Sequence, residues 1–275
     1  MASNFHLPPV GFGPGSQPDE EEGLDYMHLP SGMRTYETHL PEVDDPSALS
    51  PALKTLADLA TACEAAAKGG MARFDLSKLD QQNRALMAET LGQGEVAMKI
   101  RGIPALRVQE AVFAGVWAIS GAGIDAVEVG PVPAAALSRA FEPYRAGLGA
   151  DLARPAGVVN APALLAELTD HSARYKGGAA HVINLTLLPH TEEDLDWLDR
   201  TLGEGAVTVL SRGYGNCRIT ATALSHVWRV QFFNSMDQLI LDTFEVTSMP
   251  EVALAATEDL EDSASRIREV LEAIR

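Results

Sequence analysis

Residues 202–228 read LGEGAVTVLSRGYGNCRITATALSHVW, a turn followed by strand-like segments around a glycine-rich centre. The chain contains this stretch twice, because a shift of 111 positions aligns it with residues 91–117, LGQGEVAMKIRGIPALRVQEAVFAGVW. Nine of the 27 aligned positions are identical, from the leading Leu-Gly to the closing Val-Trp. Unrelated segments of this length share roughly two identities, so the match indicates a duplicated structural unit.

The segments before these two stretches predict the same elements in the same order. A helix opens at Pro51, with Ser50 as a candidate N-cap, and its counterpart opens at Pro162. Both helices end at a Lys-Gly-Gly sequence. A short strand and a second helix follow; we predict them at Ala72 to Leu76 and Gln81 to Thr90, and again at His181 to Leu187 and Glu192 to Thr201, with Thr191 as N-cap.

Alternating apolar residues then predict an antiparallel meander in each copy. In the second copy we expect strands at Ala206 to Arg212, Arg218 to Ala223, Val227 to Phe233 and Leu239 to Val246. The first copy is six residues shorter after its tryptophan. A helix closes each copy, the second from Pro250 to about Ile274. The predicted fold class is α+β, with two tandem helix–strand–helix–meander–helix units related by a pseudo-twofold axis.

Residues 1–48 differ in composition from the rest of the chain. They contain seven prolines, five glycines and nine acidic residues, but one arginine and no lysine. We therefore expect a mostly irregular acidic tail, followed by the first copy at residues 49–155 and the second at 156–275. Three histidines of the tail, His6, His28 and His39, could trap a metal ion, but nothing in the sequence fixes their geometry.

Composition excludes several classes of protein. No apolar run approaches the roughly 20 residues that cross a bilayer, and the N-terminus lacks a secretory signal, so we expect a cytoplasmic protein without membrane insertion. The formal net charge of −17 argues against nucleic-acid binding and favours cationic partners. The two cysteines, Cys63 and Cys217, lie in no zinc or disulfide pattern. No cofactor motif is present, so we expect neither metal nor cofactor.

Residues shared by the two copies are interpreted as scaffold, since a duplicated fold retains what its packing needs. They are Arg101, Arg107, Trp117 and Glu128 in the first copy, matched by Arg212, Arg218, Trp228 and Glu245 in the second. We expect the charged residues to form ion pairs between strands and the tryptophans to fill the space between sheet and helices.

The loop at the centre of the repeat differs between the copies. Ile103-Pro104-Ala105-Leu106 in the first is replaced by Tyr214-Gly215-Asn216-Cys217 in the second. We expect the second loop to contact a partner protein, through Arg212, Tyr214, Gly215, Asn216, Cys217 and Arg218. The flanking arginines also favour a reactive thiolate at Cys217, with His226 as the nearest candidate base in sequence. A third interpretation makes Cys217 a small buried hydrophobe in place of Leu106.

Several segments of the second copy resemble one known family. They are LGEG (202–205), SRGYGNCRI (211–219), VWRVQ (227–231), FNS (233–235), LILDTFEV (239–246) and EDLEDS (258–263). These segments are similar to the C-terminal region of the HupH/HyaF family, the hydrogenase expression/formation proteins of bacterial uptake NiFe-hydrogenase systems. The resemblance implies help in maturing the hydrogenase small subunit, an iron–sulfur protein with a twin-arginine export signal, alongside a thioredoxin-like chaperone. It implies no catalytic residue.

Three functions remain open at this point. The first is a maturation chaperone that is not an enzyme and binds the small-subunit precursor before export. An acidic protein suits a basic signal peptide, and sheet edges accept an extended segment by strand addition. The second is a Cys217-dependent enzyme or a factor that handles sulfur or iron–sulfur clusters. The third is a structural adaptor between other maturation factors.

Overall fold

The computed structural model describes residues 48–213 and 215–274. The acidic N-terminal segment 1–47, Tyr214 and Arg275 lie outside the described residues, so the expectation of an irregular tail is not addressed. The described chain contains helices and antiparallel strands, which confirms the α+β class. No helix in this part of the chain is both long and apolar enough to cross a membrane.

Helices and strands follow the predicted order. The helices are α1 (Ser50–Ala66), α2 (Gln81–Leu91), α3 (Ala134–Ser138), α4 (Ala161–Arg174), α5 (Glu192–Leu202) and α6 (Thr257–Ile274). The strands are β1 (Ala72–Asp75), β2 (Val96–Ile100), β3 (Leu106–Glu110), β4 (Val116–Gly121), β5 (Ile124–Val129), β6 (Pro143–Arg145), β7 (His181–Asn184), β8 (Glu204–Gly205), β9 (Val207–Ser211), β10 (Asn216–Ala221), β11 (Val227–Phe233) and β12 (Leu239–Val246).

Ten strands form one continuous sheet in the order β1-β5-β4-β3-β2-β9-β10-β11-β12-β7. All neighbours are antiparallel, and β6 and β8 form a separate two-stranded ribbon. The two halves of the chain meet at β2 and β9, where Val96 pairs with Ser211, Met98 with Val209 and Ile100 with Val207. The short edge strands β1 and β7 lie at opposite ends of the sheet.

The two faces of the sheet are covered differently. On one face, alternate side chains of the central strands, among them Trp117 and Trp228, pack against α3 and the segment around Met249. On the other face α1, α2 and α6 cover the first half and α4 and α5 the second half. Among the described residues, no helix covers the central strands on this second face, which we call the open face. Lys99, Arg107, Leu210 and Arg218 are exposed there.

Polar side chains at equivalent positions fix the helix starts in both halves. Thr191 caps α5 in a capping box, accepting from the Asp194 N–H at 2.9 Å. Asp194 Oδ1 also accepts from the backbone N–H of Ala161 at the start of α4, at 2.9 Å. In the first copy the equivalent residue is Asn83. Its side-chain oxygen accepts from the N–H of Ala52 in α1 at 2.9 Å in the same way. Each first helix is therefore tied at its start to the second helix of its own copy.

Two predicted helix starts are wrong, and the helix that closes the first copy is short. Ser50 does not cap α1, because it is the first helical residue and Leu49 precedes it without a side-chain bond. The helix predicted to close the first copy is reduced to the five residues of α3. The helix predicted from Pro250 begins with a separate 3-10 turn, Glu251–Ala253, and α6 starts only at Thr257.

The long helix α6 packs against α1 rather than against its own copy. Its apolar face, which includes Leu260, Ile267 and Leu271, joins the same buried cluster as Leu56 and Leu59 of α1. The Ser263 hydroxyl donates to the carbonyl of Ala114 at 2.9 Å. The end of the chain therefore completes the hydrophobic core of the first copy.

Candidate functional site

The loop singled out by the sequence joins the central strands β9 and β10 where β9 ends and β10 begins. Arg212, Gly213, Gly215, Asn216 and Arg218 are exposed, and Tyr214 lies outside the described residues. The backbone N–H of Arg212 donates to the carbonyl of Glu95 at 3.1 Å, which holds the start of the loop against the first copy. Gly215 adopts φ +101°, a conformation that suits glycine in a tight hairpin.

The second difference between the copies lies beside this loop. The six additional residues of the second copy lengthen the β11–β12 hairpin, which turns at Asn234-Ser235-Met236-Asp237. The side-chain oxygen of Asn234 fixes the turn by accepting from the N–H of Met236 at 2.9 Å and of Gln238 at 3.0 Å. These contacts predict a preformed turn rather than a flexible one.

The loop and the lengthened hairpin are in direct contact. Asn216 pairs with Phe233 across the sheet, and its side-chain amide donates to Asp237 at 3.4 Å. The guanidinium carbon of Arg218 lies 5.7 Å from the centre of the Phe233 ring. Asn216 and Asp237, which are 21 residues apart in sequence, therefore belong to one surface.

This surface combines cations with exposed apolar side chains. Met236 is 71% exposed, Leu239 48% and Ile240 56%. We name the set Arg212, Asn216, Arg218, Met236, Leu239 and Ile240 the hairpin-tip surface. Large apolar side chains grouped beside polar ones on a surface are typical of protein-binding sites.

Cys217 is the exception among the loop residues. Its side chain is 3% exposed and packs with Ile219 and Ala221 in the core between sheet and α3. Burial, with a smaller effect from Glu245, raises the pKa of the Cys217 thiol to about 12. The thiol is therefore protonated at neutral pH, and it is not part of the contact surface.

His226 does not serve as a base for Cys217. The strand register places Cys217 opposite Phe232, six residues along the chain from His226. At ~3.3 Å per strand residue this separates the two by about 20 Å. The ring of His226 instead contacts Phe141 and Tyr175, with centroids 5.5 and 4.9 Å away.

The shared charged residues differ in their partners. Arg101 forms an ion pair with Glu204 at 3.0 Å, and Glu128 forms one with Arg73 on the neighbouring strand at 2.6 Å. Arg107 is exposed on the open face of the sheet. Glu245 is partly buried and accepts from the Thr243 hydroxyl at 3.4 Å, and burial raises the pKa of its carboxyl.

The shared tryptophans occupy matching positions. Both are fully buried, and each indole N–H donates to a backbone carbonyl just beyond the meander. Trp117 donates to Gly130 at 2.9 Å and Trp228 to Thr247 at 3.2 Å. These contacts tie the end of each meander to its third strand.

The open face of the sheet carries two grooves. The first, about 570 Å³, is lined by Lys99, Arg107 and Gln109, among others. The second, about 480 Å³, is lined by residues that include Arg218 and Arg229. Both grooves are therefore rich in cations although the whole chain is acidic.

Arg229 anchors a charged cluster that sequence reasoning missed. Its guanidinium donates to Asp242 at 3.0 and 2.7 Å and to both carboxylate oxygens of Asp199 at 2.7 Å. The first copy has alanines at the positions equivalent to Arg229 and Asp199, namely Ala118 and Ala88. The same comparison between copies that singled out the loop would have singled out these residues.

Comparison with known proteins assigns the chain to a family. The family model described as HupH hydrogenase expression protein, C-terminal conserved region, matches residues 49–142 and 158–274. The chain is 76% identical over 275 residues to the hydrogenase expression/formation protein HupH of Rhodobacter capsulatus, covering 100% of both chains. It is 35% identical to the hydrogenase-1 operon protein HyaF of Escherichia coli, over 74% of this chain and 73% of that protein.

A solved structure is also similar in sequence. The hydrogenase expression protein HupH from Thiobacillus denitrificans shares 31% identity over 42% of this chain and 94% of its own, with a TM-score of 0.37. The resemblance seen in the second copy is confirmed by these two relatives and by the family model. The chain belongs to the HupH family of hydrogenase expression/formation proteins.

Proposed function

We propose that this protein is an accessory factor in hydrogenase maturation that binds the precursor of the small, iron–sulfur subunit before twin-arginine export. The names of its relatives support a role in hydrogenase expression and formation. The observation that carries the binding proposal is the hairpin-tip surface. The β9–β10 loop and the lengthened β11–β12 hairpin both distinguish the second copy from the first. They meet there in one exposed, partly apolar region.

The repeated scaffold presents this surface. We infer that the two copies are related by a pseudo-twofold axis between β2 and β9. A shift of 111 residues makes Met98 equivalent to Val209, and these two residues also pair with each other in the sheet. The pairs on either side, Val96 with Ser211 and Ile100 with Val207, are exchanged by the same shift. The strand orders β1-β5-β4-β3-β2 and β7-β12-β11-β10-β9 also correspond. A rigid symmetric sheet leaves the unmatched residues free to specialise.

Charge and sheet edges supply a second, complementary contribution. The net charge of −17 attracts a basic export signal over distances of about a Debye length. Within the described residues β1 and β7 each pair with one neighbouring strand, so an extended segment can add to their outer sides. We therefore assign specificity to the hairpin-tip surface and early attraction to the acidic surface.

A capture experiment tests the proposal. Tagged protein from hydrogenase-expressing cells is expected to retain the small-subunit precursor, and Met236→Ser with Ile240→Ser should reduce that capture at least about tenfold. Ile103→Ser is the matched control, because Ile103 is fully exposed in the corresponding loop of the first copy. We expect it to capture as much precursor as the wild type.

Other outcomes separate the alternatives. Equal loss in the Ile103 control would show that exposed apolar residues act without specificity. Capture of a thioredoxin-like chaperone in cells that lack the small subunit, with no capture of the subunit itself, would favour the adaptor. Absence of the precursor under all salt conditions would overturn the proposal.

A further inference from the structure

Glu167, His171 and His181 form a cluster on the outer side of α4, apart from the hairpin-tip surface. His181 begins the edge strand β7 and pairs with Val246. Val246 lies six residues along β12 from Ile240, which corresponds to about 20 Å. The cluster therefore belongs to a different part of the second copy.

The three side chains converge from two elements. Glu167 and His171 are four residues apart on α4, so they share one face of the helix. The Nε2 atom of His181 lies 2.8 Å from the Oε1 atom of Glu167. The two imidazole rings are stacked, with centroids 3.5 Å apart and planes 2° from parallel. One candidate ligand atom from each residue lies within 4.8 Å of the others.

We propose that Glu167, His171 and His181 bind a divalent transition-metal ion of the Zn²⁺ class, with water completing the coordination. Two imidazoles and one carboxylate form a donor set that such ions favour. Ligand atoms of a tetrahedral zinc ion lie about 3.3 Å apart, given Zn–N bonds of ~2.0 Å. Donor pairs that lie as far apart as 4.8 Å must therefore approach by about 1.5 Å. Glu167 Oε1 and His181 Nε2, now 2.8 Å apart, must separate by about 0.5 Å and exchange their hydrogen bond for bonds to the ion.

Binding requires one rotation. A metal ion lies close to the plane of each imidazole that ligates it, and two parallel stacked rings do not share such a position. Rotation of the His171 ring about its Cβ–Cγ bond removes the stacking while His181 stays beside Glu167. His171 is partly exposed and Glu167 is exposed, so both have room to move.

The first copy shows that the fold does not need these residues. Leu56 and Ala60 stand at the positions equivalent to Glu167 and His171. By strand register Ala72 takes the place of His181, because Ala72 pairs with Val129 at the end of β5 as His181 pairs with Val246 at the end of β12. Leu56 and Ala60 are buried in the cluster that α6 completes. The same helix face in the second copy instead carries a carboxylate and an imidazole at the surface. The cluster is thus an addition to the scaffold, as the hairpin-tip surface is.

Calorimetric titration of the full chain with ZnCl₂ tests the site. The histidines His6, His28 and His39 are first replaced by alanine, so that the tail cannot contribute ligands. We expect this protein to bind one Zn²⁺ per chain. His171→Ala and His181→Ala should each weaken binding at least about 100-fold, and Glu167→Gln about 10-fold or more.

A control and a second readout keep the test specific. His190→Ala should leave binding unchanged, because His190 is exposed and contacts the carbonyl of Leu188 instead. Co²⁺ in place of Zn²⁺ should give the visible absorption of a four-coordinate ion, which His171→Ala should abolish. Circular dichroism of Glu167→Gln, whose side chain is exposed, establishes that loss of metal does not reflect misfolding.

Two results would overturn the site. One is the absence of saturable Zn²⁺ binding once the three tail histidines are replaced. The other is unchanged affinity in both His171→Ala and His181→Ala, which would place the ion elsewhere.

Discussion

Replacement of Arg229 tests the cluster that lines the second groove. In Arg229→Met, Asp242 loses both of its guanidinium bonds and keeps the weaker contact from Gln231 at 3.3 Å. The Asp242 side chain is only 6% exposed, so its carboxylate would be left unpaired and poorly hydrated. Removal of one partner of a buried ion pair costs about 3–5 kcal/mol.

The lower end of that range applies here. Asp199, the second partner, is 51% exposed and regains water when the arginine is removed. Its contribution is therefore that of a surface pair, about 0–1 kcal/mol. We expect Arg229→Met to lower the free energy of unfolding by about 3 kcal/mol, equivalent to a fall in Tm of about 6–12 °C for a protein of this size.

Urea unfolding at pH 7, followed by the fluorescence of the buried tryptophans, measures the effect. Arg174→Met is the matched control, because Arg174 pairs with Asp170 on the exposed side of α4 and both are well exposed. We expect that variant to lose less than about 1 kcal/mol. The double variant Arg229→Met/Asp242→Asn should be more stable than Arg229→Met, since it removes the orphaned charge. Equal losses at Arg229 and Arg174, or no recovery in the double variant, would refute the reasoning.

Two further predictions concern buried titratable groups. Burial raises the pKa of Glu110 to about 7, so between pH 4.5 and 7 the folded state holds a proton that the unfolded state has lost, and stability falls as the pH rises. Glu110→Gln should abolish this fall and be about 3 kcal/mol more stable than wild type at pH 8; equal pH slopes in urea unfolding would contradict it. Cys217 should resist iodoacetamide at pH 8 until urea is added, and Cys217→Ala should retain hydrogenase activity in cells. Loss of that activity in a folded Cys217→Ala variant would favour the enzymatic alternative.

Local patterns predicted most of the elements, because their causes are local. Alternating apolar residues gave β11 and β12 their observed bounds, and the Thr191 cap was predicted from its sequence position. The same alternation already places Cys217 on the face of Ile219 and Ala221, so its burial was available from the sequence. Arg218 pointed towards reactivity because it adjoins Cys217 in the chain, but alternation along β10 turns its side chain to the opposite face.

Long-range packing was not available from these patterns. The apolar face of α6 was predicted, but its docking onto α1 is a contact between residues about 200 apart in sequence, and no local pattern encodes it. The contact of Asn216 with Asp237 depends on the register of β10 and β11, which the alternation of apolar residues does not determine. The cluster of Glu167 and His181 likewise depends on how α4 lies beside β7.

The docking of α6 explains why the cluster of Glu167, His171 and His181 lies in the second copy. The face of α1 that α6 covers must be apolar, and it consists of residues such as Leu56, Leu59 and Ala60. On α4 the corresponding positions carry Glu167, Asp170 and His171, which are exposed or partly exposed. Because α6 covers this face of α1, packing requires apolar residues there. The corresponding face of α4 has no such requirement and can carry polar and binding residues. Polar binding residues on this helix face should therefore occur in the second copy, where the proposed metal site lies.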